Sequence, residues 1–200
     1  MSKPRLIAMA AAAAALTLAA SAASAATNLV VNPGFETGDF TGWTVSGDGI
    51  SIDSAFPNSG TYDAAFSATS TDPDPGVLSQ TLPAILGQSY DLSFALMDEI
   101  GLATDSFTVD FDNFSDTITG DQAPGAYTDF SFVVPGSDVT TLISELSFTG
   151  TNDFADWNLD DVSVSQVTSA IPEPAEWALL TLGVGMAGFA LRRRKAVLPA

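Results

Sequence analysis

The chain has 200 residues, with 24 Asp and Glu against six Lys and Arg, and neither His nor Cys. A net charge of −18 excludes nucleic-acid binding, which needs a basic footprint to neutralise phosphates. Lacking His and Cys, the chain has no base–nucleophile triad and no zinc site of the usual kind.

The N-terminus reads as an export signal. Lys3 and Arg5 form a basic start, Leu6 to Ala20 an Ala-rich apolar run, and Ala23-Ser24-Ala25 a small-residue cleavage site. Residues 1–25 are therefore expected to be a helical signal peptide. It would pass through the Sec translocon and be removed by signal peptidase, leaving Ala26 as the first mature residue. All six basic residues (Lys3, Arg5, Arg192, Arg193, Arg194, Lys195) lie in the two terminal segments. Of the 24 acidic residues only Glu173 and Glu176 lie in the tail, which leaves 22 between Ala26 and Ala170 with no opposing side-chain cation. Such self-repulsion weakens a compact state unless salt or bound cations offset it. A domain of about 145 residues is long enough for one core, and without Cys it relies on that core alone.

From Ala26 to Ala170 the pattern is β. Tyr90, Leu92, Phe94 and Leu96 alternate with small or polar residues, as do Phe107, Val109 and Phe111. Phe130, Phe132 and Val134 repeat the pattern, and so do Leu146 and Phe148. Further strands are expected over Leu29–Val31, Gly49–Ile52, Tyr62–Ser67, Val77–Thr81 and Val162–Val167. Turn residues separate them, among them Asn58-Ser59-Gly60, Gly120–Gly125 and Pro135-Gly136-Ser137. Roughly nine short strands at this spacing predict an antiparallel two-sheet sandwich. Trp43 is expected to plug the core. Asp110 and Asp112 are expected on the solvated face of the strand whose Phe107, Val109 and Phe111 point inward.

Asp160 poses a sharper question. In an unbroken strand it shares the inward side of Val162 and Val164, where a carboxylate is costly without compensation. Either a bulge at Asp160-Asp161 turns it outward, or backbone amides satisfy it, or a metal does.

The tail has three parts: Pro172-Glu173-Pro174, an uncharged apolar run reaching Leu191, and Arg192-Arg193-Arg194-Lys195. The run lies at the short edge of the roughly 17–25 residues that span a bilayer. The basic cluster would stay cytoplasmic, and the prolines keep the Glu173 site extended. A single transmembrane helix is expected here. This arrangement over residues 171–195 resembles the PEP-CTERM signal of Gram-negative bacteria, also known as the ice-binding protein C-terminal domain. The resemblance implies an exosortase as partner, with Pro172, Glu173, Pro174, Arg192, Arg193 and Arg194 as the motif it reads. It further implies export, transient anchoring in the inner membrane, and delivery to the cell surface, outer membrane or extracellular matrix.

The domain has its own resemblance. Asn32-Pro33-Gly34-Phe35-Glu36 with Gly42-Trp43, then Asn58-Ser59-Gly60-Thr61-Tyr62, Leu78-Ser79-Gln80-Thr81-Leu82, and Trp157-Asn158-Leu159-Asp160-Asp161-Val162 occur in that order. The set resembles galactose-binding-like jelly rolls, which include carbohydrate-binding modules. That likeness implies a structural calcium where the opening and closing segments meet. Its ligands would be Glu36, Asp160 and the Gly34 carbonyl, with Asp53 or Asn58 completing an oxygen shell.

The resemblance implies non-catalytic sugar binding, with exopolysaccharide as the expected glycan and Tyr62, Tyr127 and Trp157 as candidate contacts. Trp157, just before the expected closing strand, could instead cap the core. The alternative is a structural or adhesive matrix protein cross-linked through divalent cations. An enzyme is not expected: phosphoryl transfer would lack its Lys/Arg clamp, and nothing marks one carboxylate pair above the others for glycoside hydrolysis.

Overall fold

The computed structural model describes residues 26–67 and 74–167. The signal peptide, the sorting motif from Pro172 to Lys195 and the expected transmembrane helix lie outside the described residues. No helix among the described residues is long and apolar enough to cross a membrane.

Ten strands form the domain: β1 (Thr44–Ser46), β2 (Ile50–Asp53), β3 (Asp63–Phe66), β4 (Val77–Pro83), β5 (Tyr90–Asp98), β6 (Ser106–Phe111), β7 (Phe114–Thr119), β8 (Thr128–Val134), β9 (Ile143–Thr151) and β10 (Trp157–Gln166). They make two five-stranded sheets, in the orders β1-β4-β9-β6-β7 and β2-β3-β10-β5-β8. All strand pairings are antiparallel. The expected all-β sandwich is present, and its core lies between the inner faces. There Phe94, Phe107, Phe148 and Trp157 pack ring against ring, with Phe107 centred 5.5 Å from Trp157 and 5.8 Å from Phe148. Trp43 is buried as expected, 6.2 Å from the Phe148 ring.

Several boundaries differ from the sequence pattern for definable reasons. Leu29–Val31 is not a strand. Leu29 N–H donates to the Val164 carbonyl, but the next two amides turn to side chains, Val30 to Asn28 Oδ1 and Val31 to Gln80 Oε1. β7 escapes the alternation pattern because only Ile118 of its six residues is buried. β10 starts at Trp157 rather than Val162 because a register shift between Asp160 and Ser163 absorbs one residue, with Asp161 at φ 52°.

Asp112 is not on a solvated strand face. It follows β6 at φ 55°, and its carboxylate accepts the Thr140 and Thr141 amides at 3.0 and 3.1 Å and the Ser144 hydroxyl at 3.0 Å. It clamps the turn before β9.

Candidate functional site

The opening and closing segments meet along β10. Beyond the stretch of β10 that pairs with β3, the Asn28–Pro33 segment runs beside it. Leu29 N–H donates to the Val164 carbonyl, and Val162 N–H to the Pro33 carbonyl at 2.9 Å. This places Gly34 against the bulge: a Cβ on it would lie 3.2 Å from Asp160 Oδ1, 3.7 Å from Asp161 Oδ1 and 3.8 Å from Glu36 Cγ. The Asn58–Tyr62 loop closes over the junction from the other side.

The bulge and the amides both answer the question of Asp160. Core residues Trp157, Leu159, Val162 and Val164 flank the bulge, so Asp160 faces away from them, yet it is fully buried. Its Oδ2 accepts N–H groups from Asn58 (3.0 Å) and Ser59 (2.9 Å), and its Oδ1 accepts the Asp161 N–H at 2.7 Å. Burial pushes its carboxyl up to about 6, against the pull of these amides. Asp161 points outward and takes Asn58 Nδ2 at 2.8 Å and Ser59 Oγ at 2.7 Å. Glu36 accepts the amides of Thr61 (2.9 Å) and Tyr62 (3.1 Å). Gly60 must be glycine: its φ is 65°, and a Cβ there would run into the Glu36 carboxyl.

Four of the five expected calcium ligands therefore converge: Gly34, Glu36, Asn58 and Asp160. Asp53 does not join them. It ends β2 opposite Asp63, and its charge acts on Asp63 and Asp156 instead. Among the described residues no three His, Cys, Asp or Glu side chains are grouped to hold a metal ion by themselves, because the Glu36 carboxyl turns towards the loop amides. The donor chemistry still fits a hard cation. The acceptors at the junction are all oxygens, no basic side chain competes for them, and Gly34 has no Cβ to crowd the Asp160 carboxyl. Each carboxylate also has lone pairs beyond those the amides use.

A second cluster occupies the outer face of the β2-β3-β10-β5-β8 sheet. Asp63, Ala65, Ala95, Met97, Asn158 and Asp160 alternate with core residues and so lie on this face, yet all six are buried. Tyr127, just ahead of β8, reaches across it to donate its hydroxyl to Asp63 Oδ2 at 2.8 Å. Asp63 Oδ1 and Asn158 Oδ1 are buried with no hydrogen-bond partner. Burial raises the Asp63 carboxyl, and the Asp53 and Glu99 charges raise it further against the Tyr127 bond. Asp156 is raised by burial and then by Glu99 and Asp53. Four carboxylates thus share one electrostatic neighbourhood with a tyrosine and an asparagine. Tyr127 in turn is pushed well above the ordinary phenol range, by burial first and then by its bond to Asp63.

The three expected aromatic contacts separate. Tyr127 lies on this face. Tyr62 packs over Gly38, where a Cβ would sit 3.3 Å from its ring. Trp157 is fully buried, donates Nε1–H to the Thr151 carbonyl at 3.0 Å, and cannot meet a ligand. Of the two places the sequence allowed it, the core and a loop-end site, it takes the core, opening β10. Sequence reasoning missed Asp63, Glu99, Asp156 and Asn158, which only strand pairing brings together, and Phe154, which is 80% exposed beside them in sequence.

Comparison with known proteins confirms the fold: the two-sheet sandwich is similar to the jelly rolls of carbohydrate-binding modules. It superposes on TmCBM61, solved in complex with β-1,4-galactotriose, with a TM-score of 0.56 at 22% identity, covering 70% of this chain and 99% of that one. It also matches the CBM22-1 xylan-binding domain from Paenibacillus barcinonensis Xyn10C (TM-score 0.52, 16% identity, 74% of this chain and 100% of that one). A match to the enzymatically active domain of bacteriophage CBA120 tailspike protein 4 (TM-score 0.54, 16% identity) covers 70% of this chain but only 21% of the other. At these identities the likeness is one of fold. Residues 170–195 match the PEP-CTERM protein-sorting motif. No curated protein matches the sequence.

Proposed function

We propose that this is an exported protein, sorted by an exosortase to the surface or matrix of a Gram-negative bacterium, whose jelly-roll domain binds carbohydrate without cleaving it. The observation that carries the binding reading is the outer face of the second sheet. Buried acceptors on Asp63 and Asn158 lack donors there, and a partly exposed tyrosine lies beside them. Sugar hydroxyls are donors, and a tyrosine ring offers an apolar face for a pyranose. Tyr127 is the side chain that would swing aside for a sugar to reach Asp63. Two of the matched modules, one solved with β-1,4-galactotriose and one a xylan-binding domain, make neutral β-linked glycans the first ligands to try.

The junction of Gly34, Glu36, Asn58 and Asp160 is the proposed calcium site. Calcium there would neutralise carboxylates and fasten the opening segment to β10, a structural role rather than a catalytic one. Affinity electrophoresis of the full chain through gels containing galactan, xylan or an acidic exopolysaccharide tests the function. Retardation by a neutral glycan that persists in a chelator supports specific binding. Retardation only by acidic polymers, abolished by the chelator while the fold survives, would instead support a cation-bridged matrix protein.

A further inference from the structure

The charges of this domain are unevenly placed. Between Ala26 and Ala170 there are 22 carboxylates, yet Ala26–Val31, Pro83–Tyr90, Val139–Ser144 and Val162–Ala170 contain none. The fold brings the described residues of these four segments to one end, where the neighbouring Asp112 carboxylate is taken up by the Thr140 and Thr141 amides and the Thr141 and Ser144 hydroxyls. Pro83 pairs with Ile143, and Ala84 N–H donates to the Leu142 carbonyl at 3.0 Å. Gly87 N–H donates to the Val139 carbonyl at 3.1 Å. Gln166 Nε2–H donates to Gln88 Oε1 at 3.0 Å, Val167 N–H to the Ser89 carbonyl at 2.9 Å, and Leu29 N–H to the Val164 carbonyl at 2.8 Å.

This end is also apolar on its surface. Ile85, Leu86, Leu142 and Ile143 are 53%, 51%, 65% and 69% exposed. Leu142 precedes β9, Ile143 opens it, and Ile85 and Leu86 fill the turn between β4 and β5, so two neighbouring loops and the strand end between them carry all four. Four large aliphatic side chains exposed together mark a contact surface rather than ordinary surface scatter.

The last described residue, Val167, leaves the fold at this end. Five residues later comes Pro172 of the sorting motif, a distance of at most about 17 Å even when fully extended. The described chain thus ends, at Val167, beside the turn that carries Ile85 and Leu86. The acidic face with Glu99, Asp156 and Tyr127 lies towards the opposite end of β5, where Asp98 rather than Tyr90 ends the strand.

We propose that the loops and strand end carrying Ile85, Leu86, Leu142 and Ile143 dock on the lipid surface of the membrane that anchors the tail, holding the acidic face away from it. The proposal rests on the reading that residues 171–195 anchor the chain in that membrane. A bilayer suits this end because an interface accepts exposed aliphatic side chains, while the carboxylates elsewhere would be repelled by anionic lipid. Docking would also fix the direction in which the sorting motif is presented.

Because the chain has no native cysteine, single probes can be placed cleanly. Full-length Leu86→Cys, Leu142→Cys and Phe154→Cys variants, each labelled with bimane, are reconstituted into phosphatidylethanolamine–phosphatidylglycerol vesicles carrying a nitroxide lipid. Flotation shows whether the chain is anchored, and nitroxide quenching shows which probes touch lipid. Loss of most emission at positions 86 and 142, with position 154 unquenched, is the expected result. Vesicle-bound protein with all three probes equally unquenched overturns the docking while leaving the anchor in place. Probes at 86 and 142 shielded from water but not quenched by lipid would assign the patch to a protein partner and equally overturn it. Protein that fails to float with the vesicles overturns the anchor reading and the docking together.

Discussion

Ser59 and Asp160, 101 positions apart in sequence, are joined by a 2.9 Å hydrogen bond from the Ser59 backbone N–H to a fully buried carboxylate oxygen. With Asn58 donating to the same oxygen, this bond ties a surface loop to the bulge of the closing strand. In a domain without disulfides or ion pairs of its own, a buried carboxylate gripped by amides takes the role of a clasp.

Replacing Asp160 should loosen that clasp by a predictable amount. Asp160→Ala leaves the Asn58 and Ser59 amides without their acceptor and should cost about 3 kcal/mol in urea unfolding. Asp160→Asn keeps one acceptor oxygen and should cost clearly less. Equal losses in the two variants, measured in chelator, would show that the charge rather than the amide geometry matters.

Gly60→Ala should destabilise by about 2 kcal/mol, because alanine disfavours this left-handed backbone and its methyl would meet the Glu36 carboxyl. Gly87→Ala is the control. It shares a positive φ of 74° but has nothing within 4 Å of the added methyl. An effect at position 60 no larger than at 87 would mean the Glu36 contact contributes nothing.

How much of this was legible in advance depended on range. The inward faces of β5, β6 and β9 followed directly from alternating Phe, Leu and Val, since each strand buries one side. The convergence of Gly34, Glu36, Asn58 and Asp160 was reachable only through resemblance to a known arrangement. The Asp63–Tyr127–Asn158 face was not reachable, because its members come from β3, the approach to β8 and β10, and no local pattern records which strands become neighbours. For Trp157 the sequence left two places open, the core and a loop-end site, and the structure takes the first because Trp157 opens β10 inside the core.

Acidity should stabilise the fold over part of the pH range. Asp63, Asp105 and Asp156 are raised above the ordinary 3.8, in each case chiefly by burial, so their folded forms bind protons that the unfolded chain has released. Their linkage opposes folding as pH rises past 3.8 towards neutrality and favours it as pH falls back. Below that range Asp39 and Asp112, both lowered, lose their hydroxyl and amide partners on protonation. Melting temperature in chelator should therefore rise on moderate acidification from neutral pH, then fall in strong acid. A steady decline from pH 7 downward would contradict these assignments.

Calcium should raise the melting temperature of the full chain and excess chelator should lower it. Glu36→Ala should abolish the difference, whereas Asp53→Ala should preserve it, since Asp53 lies with Asp63 and Asp156. A chelator-insensitive wild type would assign the junction to the amides alone.

The most direct test of the carbohydrate reading is calorimetric titration of β-1,4-galactotriose and xylohexaose into the wild type and into Tyr127→Ala. Saturable heat with at least one oligosaccharide, lost in the variant while its melting transition remains cooperative, is the predicted result. No binding by the wild type to either sugar, or binding that Tyr127→Ala leaves intact, would contradict the assignment of glycan recognition to the outer face of the second sheet.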